Sequence, residues 1–117
     1  MVSINIISDK KSRYLELSVK GHAGMAESGQ DIVCSAVSIL SYTVAQIVNV
    51  MEERHLLTEG PRISLKNGDA EISCECKPNS FDEIEKAFKF AMTGYTLLVH
   101  TYPQFVELNV NGEAIQP

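Results

Sequence analysis

Tyr14-Leu15-Glu16-Leu17-Ser18-Val19-Lys20-Gly21-His22-Ala23-Gly24, continuing through Gly29 to Asp31-Ile32-Val33-Cys34-Ser35-Ala36-Val37-Ser38, is the stretch that decides how this chain folds. In its first half Leu15, Leu17 and Val19 point one way and Glu16, Ser18 and Lys20 the other, which is the period of a half-buried strand. From Ile32 to about Arg54 the period becomes helical. Val33, Val37, Leu40, Val44, Ile47, Val48 and Met51 make a broad apolar stripe, with Ser35, Ser38, Tyr42, Gln46, Asn49 and Glu53 largely outside its centre. A loop from Ala23 to Gln30, with Gly24 and Gly29 near its ends, joins the two. Asp31 is a good N-cap for the helix, because its carboxylate can accept backbone N–H groups of the first turn. His22 therefore stands at a strand end, and Cys34 in the first turn of a helix.

Working outward, Val2 to Ser8 reads as a strand joined to Tyr14–Lys20 by the polar turn Asp9-Lys10-Lys11-Ser12. Arg62 to Lys66 and Ala70 to Lys77 flank Asn67-Gly68-Asp69, where Asn-Gly marks a hairpin. A second helix follows Pro78. Ser80 with Glu83 forms a capping box, and Phe81, Ile84, Ala87, Phe88, Ala91, Tyr95 and Leu98 supply its apolar face, with Gly94 a local cost. A last strand runs from Gln104 to Val110. The expected order is ββαββαβ, an α+β fold with a mainly antiparallel sheet and two long helices packed on it, in one domain spanning 1–117.

A length of 117 residues, 44% hydrophobic and 21% charged, is ordinary globular composition. A formal net charge of −5 argues against direct nucleic-acid binding, which calls for a basic surface. The start of the sequence lacks the basic flank and apolar core of a secretory signal, and the charge pattern is read as leaving no uncharged apolar run long enough to cross a bilayer. A cytoplasmic protein is expected. Three cysteines do not suggest a disulfide framework. Cys74 and Cys76 alternate with Glu71, Ser73 and Glu75 and share a face with Ile72, so they read as small buried apolar residues rather than metal ligands.

The chemistry-bearing pair is His22 and Cys34. A thiol nucleophile needs a base to take its proton and a positive local potential to hold the thiolate; a helix start supplies the second and an adjacent histidine the first. Two readings of Cys34 stay open, this one and a core thiol among Val33, Ala36 and Val37. Gly21 favours a bend or bulge, so the side on which His22 emerges is not fixed by pattern alone. Asp31 reads as the cap, as a third group orienting the imidazole, or as both. Ser38 lies one turn beyond Cys34 on the same helix side. His55 and His100 fall at the far ends of helical patterns, where an imidazole complements the dipole.

Gly21-His22-Ala23-Gly24, then Gly29, Asp31-Ile32-Val33-Cys34 and Val37-Ser38, resemble the signature of the ribosomal-processing cysteine protease family Prp, and the resemblance in length and element order covers nearly the whole chain. It implies an enzyme that removes a short N-terminal extension from a protein of the large ribosomal subunit, as in Firmicutes and related bacteria. Cys34 would be the nucleophile, His22 the base and Asp31 a supporting residue; Gly21, Gly24 and Ser38 are candidates for contact with substrate. Ser35 stands where the family commonly has alanine. The resemblance implies homodimers and calls for no cofactor or metal. Backbone N–H groups at the helix start, with the Gly24 region, are expected to bind the oxyanion, and the 23–30 loop to close over an extended peptide. Two rival classes are a non-enzymatic ribosome-assembly or adaptor module, which would tolerate Cys34→Ala, and a redox-sensing thiol protein, which would answer to peroxide rather than to peptide.

Overall fold

A computed structural model describes residues 1–24, 26 and 31–117. Among the described residues, six strands and two helices follow in the order β1 (Val2–Asp9), β2 (Tyr14–Lys20), α1 (Ile32–Glu53), β3 (Arg62–Lys66), β4 (Asp69–Glu75), α2 (Phe81–Thr101), β5 (Val106–Val110) and β6 (Glu113–Ala114). The strands form one sheet in the order β3-β4-β2-β1-β5-β6. All neighbours are antiparallel except β1 and β5, which run parallel with Ile4 opposite Leu108. The α+β class and the ββαββαβ order are as the sequence predicts. The chain then adds β6, a two-residue strand that Asn111 and Gly112 turn back onto β5.

Alternation decides which sheet face carries the helices. Leu15, Leu17 and Val19 of β2 are buried, as are Val2, Ile4 and Ile6 of β1, Ala70, Ile72 and Cys74 of β4, and Val106 and Leu108 of β5. Both helices contribute to the same core, α1 through Val33, Val37, Val44 and Val48, α2 through Phe81, Ile84, Phe88, Tyr95 and Leu98. Each fully buried Val, Leu or Ile is worth about 1.5–3 kcal/mol relative to exposure, and this one-sided stripe fixes the helices against the sheet. Where the helices meet, the Ser41 and Tyr95 hydroxyls share a buried hydrogen bond of 2.8 Å. Gly94 has a packing reason too: a β-carbon there would lie 2.8 Å from both methyls of Leu40.

Two expectations are corrected. Ser80 does cap α2 in position, but its side chain makes no capping hydrogen bond. Glu83, the other half of the expected box, is instead paired with Arg54 at 2.7 Å, tying the start of α2 to the end of α1. The second concerns α1, which is long and apolar enough by composition to cross a bilayer. Its polar residues between Ile32 and Met51 are uncharged serines, threonine, glutamine and asparagine, so the stretch contains no charge to interrupt it. Within this fold the apolar stripe of α1 is the surface that closes the core.

Candidate active site

His22 lies two residues beyond β2. Gly21, the bend just after Lys20, has φ +93°, and a β-carbon on it would stand 2.5 Å from the carbonyl oxygen of Met1. No residue with a side chain fits that bend. The Gly21 N–H donates to the Gly68 carbonyl at 2.9 Å, so the backbone leading into His22 is held by the β3–β4 hairpin. Past this bend His22 is exposed while Ala23 is buried, so the histidine stands outside the core and Ala23 within it.

Cys34 is placed from the other side by Asp31. The buried Asp31 carboxylate accepts the N–H groups of Val33 and Cys34 through Oδ1, each at 3.0 Å, and that of Ala26 through Oδ2 at 3.3 Å. This satisfies donors that a helix start otherwise leaves unpaired. The thiol of Cys34 is half-buried and accepts the Ala23 N–H at 3.3 Å. A backbone N–H thus points at the sulfur, and the long helix behind it presents its N-terminal end to the same side of the cavity. The N–H groups of Val33, Cys34 and Ser35 are already engaged, the last with the Asp31 carbonyl at 3.0 Å. For any of these three to serve as an oxyanion donor, as expected of the helix start together with the Gly24 region, it would have to leave its present partner.

His22 and Cys34 open onto one cavity of about 610 Å³, also lined by Gly24, Ala26, Asp31, Ser35, Ser38, Ile39, Tyr42 and Asn67. A smaller space of about 60 Å³ lies deeper, walled by Gly21, His22, Cys34, Ser38, Ser41, Asn67 and Gly68 among others. The structure thus brings together His22, Asp31, Cys34, Ser38, Gly24 and Gly21 around adjoining spaces. Met25 and residues 27–30, including Gly29, lie outside the described residues, and with them the expected closure of the 23–30 loop. Sequence reasoning missed Ile39 and Tyr42, exposed on α1 beside the cavity, and Asn67 and Gly68, read only as a turn. Their signal was available in part: Ile39 and Tyr42 sit off the centre of the buried stripe, where an apolar residue needs another reason.

Cys74 and Cys76 are buried, as their alternation predicts. The hydrogen bond between their thiols and the burial of Cys74 push that thiol up, so it stays protonated. Among the described residues Cys34 is the cysteine with solvent access. His100 closes the last turn of α2, its ring nitrogen 3.1 Å from the Gln116 carbonyl, and His55 lies beyond α1 with φ +62°.

Asp31→Ala should lower stability by about 0.5–2 kcal/mol, the usual worth of an N-cap, and also reduce turnover, because the same carboxylate fixes the backbone that carries Cys34. Denaturant melts and peptide-cleavage rates measured on the one variant check both parts. A less stable but fully active variant confines Asp31 to capping.

Residues 1–107 match the family model described as cysteine protease Prp. The chain belongs to the Prp family of cysteine proteases. Among solved structures, it resembles the essential ribosomal processing protease Prp from S. aureus in complex with a covalently linked product peptide, with a TM-score of 0.72 and 23% identity over 94% of this chain and 99% of that one. It also resembles SMU.848 from Streptococcus mutans, with a TM-score of 0.63 and 27% identity over 94% of this chain and 93% of that one. No curated protein matches the chain. Membership of Prp makes peptide-bond hydrolysis by a thiol the chemistry to be derived from the cavity between β2, α1 and the β3–β4 hairpin.

Proposed function

We propose that this Prp-family protein removes a short N-terminal extension from a large-subunit ribosomal protein in the cytoplasm, with Cys34 as nucleophile and His22 as base. The observation that carries this reading is the shared cavity: the half-exposed thiol and the histidine line one space large enough for several side chains of an extended peptide. The S. aureus relative bound to a substrate peptide, 20% identical with a TM-score of 0.63, supports it through the fold. His22 takes the thiol proton, and the Cys34 sulfur attacks the scissile carbonyl carbon to give a tetrahedral oxyanion. The oxyanion collapses, the C–N bond breaks, and the imidazolium gives its proton to the leaving amine. Water, losing a proton to His22, then attacks the thioester, and the carboxylate product leaves as Cys34 recovers its proton. Asp31 supports both steps through the backbone it caps. Gly24 and Ser38 are assigned to the substrate side of the cavity, and Gly21 to the smaller space beside it.

A homodimer is part of the proposal. Phe90 is 80% exposed and Leu97 65%, one above the other at i and i+7 on the outer face of α2. Large apolar side chains so placed favour burial against a second copy.

Incubating the purified protein with an unprocessed large-subunit ribosomal protein and weighing the products tests the function directly. A product shortened at its N-terminus is the expected result, and an unchanged mass after prolonged incubation overturns the reading. Salt gives a second check. The net charge of −5 should draw in a basic ribosomal protein at low ionic strength. Raising salt from about 0.01 to 0.15 M, which shortens the Debye length from about 30 to 8 Å, should slow cleavage of the whole protein more than that of a short neutral peptide. Equal sensitivity of the two substrates removes steering from the account.

A further inference from the structure

We propose that Gly68, at the tip of the β3–β4 hairpin, is the residue that sets the position of the His22 imidazole. A β-carbon at Gly68 would lie 2.5 Å from His22 Nε2, 2.9 Å from Cε1 and 3.2 Å from Cδ2. The outer edge of the ring thus occupies the space that any side chain at position 68 would need. Gly68 also accepts the Gly21 N–H through its carbonyl at 2.9 Å, one residue before the histidine. The hairpin tip therefore holds both the backbone that leads into His22 and the ring itself. The pairing of β2 with β4 brings these together, with Lys20 opposite Asp69, and it puts the tip beside Cys34 and Ser38 in the deeper space.

The chemical consequence concerns reach. A general base works only within hydrogen-bonding distance of the proton that it takes, and a displacement near 1 Å costs about a hundredfold in rate. His22 is exposed and, left to itself, would sample several rotamers. Resting the ring against a bare glycine limits that freedom on the side away from solvent. Gly68 is a positioning residue: it acts through His22 and does not touch the reacting atoms. The inference rests on the protease reading for its kinetic arm alone.

The test compares Gly68→Ala and Gly68→Asn with Gly112→Ala. Gly68 and Gly112 both follow asparagine in hairpin turns and have φ of +71° and +81°, but a β-carbon at Gly112 meets nothing within 4 Å. Gly112→Ala thus measures the backbone strain alone, and asparagine at position 68 relieves much of that strain while keeping the intrusive β-carbon. Expected for both Gly68 variants is a fall in kcat of about a hundredfold with little change in KM, and thermal midpoints no lower than that of Gly112→Ala. Ring proton resonances of His22 should move while those of His55 and His100 stay in place. Activity of the Gly68 variants equal to that of Gly112→Ala, or His22 resonances that do not move, overturns the proposal. If the wild-type protein cleaves no peptide, the protease reading fails, and the placement of His22 by Gly68 is decided by the resonances.

Discussion

The Cys34→Ala protein is expected to cleave no detectable substrate while folding and melting almost as the wild type does. Alanine removes the sulfur that forms the thioester and leaves the cavity, the helix and the Asp31 cap in place. Loss of a nucleophile lowers turnover by a factor on the order of 10⁴ or more, because the remaining groups bind the peptide without a covalent route through the reaction. The stability change should stay near 1 kcal/mol, since the half-buried thiol contributes one weak acceptor to the Ala23 N–H. His22→Ala should lose activity to a similar degree, and the double variant should lose little more, as groups acting in one step are not additive. Product mass after long incubation, alongside a thermal melt, checks both halves. Near wild-type processing by Cys34→Ala would falsify the nucleophile assignment and return the chain to the adaptor reading.

The second large effect lies at high pH. Tyr95 is wholly buried between the helices, and burial pushes its phenol up to about 12 from an ordinary 10.0, with the Ser41 hydrogen bond acting weakly the other way. The folded protein therefore keeps Tyr95 neutral where the unfolded chain has begun to ionise. Below pH 10 the contribution is fully present; above it, stability falls as the unfolded state loses its proton first. Between pH 10 and 12 the loss from this one group is about 1.4 kcal/mol per pH unit, reaching about 2.7 kcal/mol. Tyr95→Phe should cost about 1 kcal/mol at pH 8, since Ser41 keeps its bond to the Val37 carbonyl. At pH 12 it should be the more stable of the two proteins. Tyr14, whose phenol is also raised by partial burial, is common to both and cancels in the comparison. Urea melts across this range decide it, and parallel curves for the two proteins exclude Tyr95 as the cause.

What could be read from the sequence was mainly local. The alternation of Leu15, Leu17 and Val19 and the stripe from Val33 to Met51 gave elements whose bounds the structure nearly repeats, because each pattern is set by which side of a short segment meets the core. Asp31 was legible as a cap since its partners are two and three residues away. The reading failed where a distant residue competed. Glu83 leaves Ser80 for Arg54, twenty-nine residues back, and an ion pair of that range has no sequence signature. The parallel pairing of β1 with β5 is likewise non-local. Gly68 is the clearest case at the site: its sequence announces a turn, and its contact with His22 exists only because β2 lies beside β4. β6, at two residues, is too short to carry a period.

The parallel partnership of β1 and β5 has a consequence for the growing chain. The lining of the larger cavity falls between His22 and Asn67, and β1, β2, β4 and β3 can pair as soon as residue 75 has emerged. The first strand then waits. Its outer rim, carrying the apolar Val2, Ile4 and Ile6 on one side, stays open until the segment 106–110 emerges and lies down along it. Translation at about 5–20 residues per second makes that interval a matter of seconds, during which another nascent copy could take the empty place. A ribosome that pauses late in this message would lengthen the exposure, and aggregation during synthesis should rise with the pause while the finished protein remains soluble.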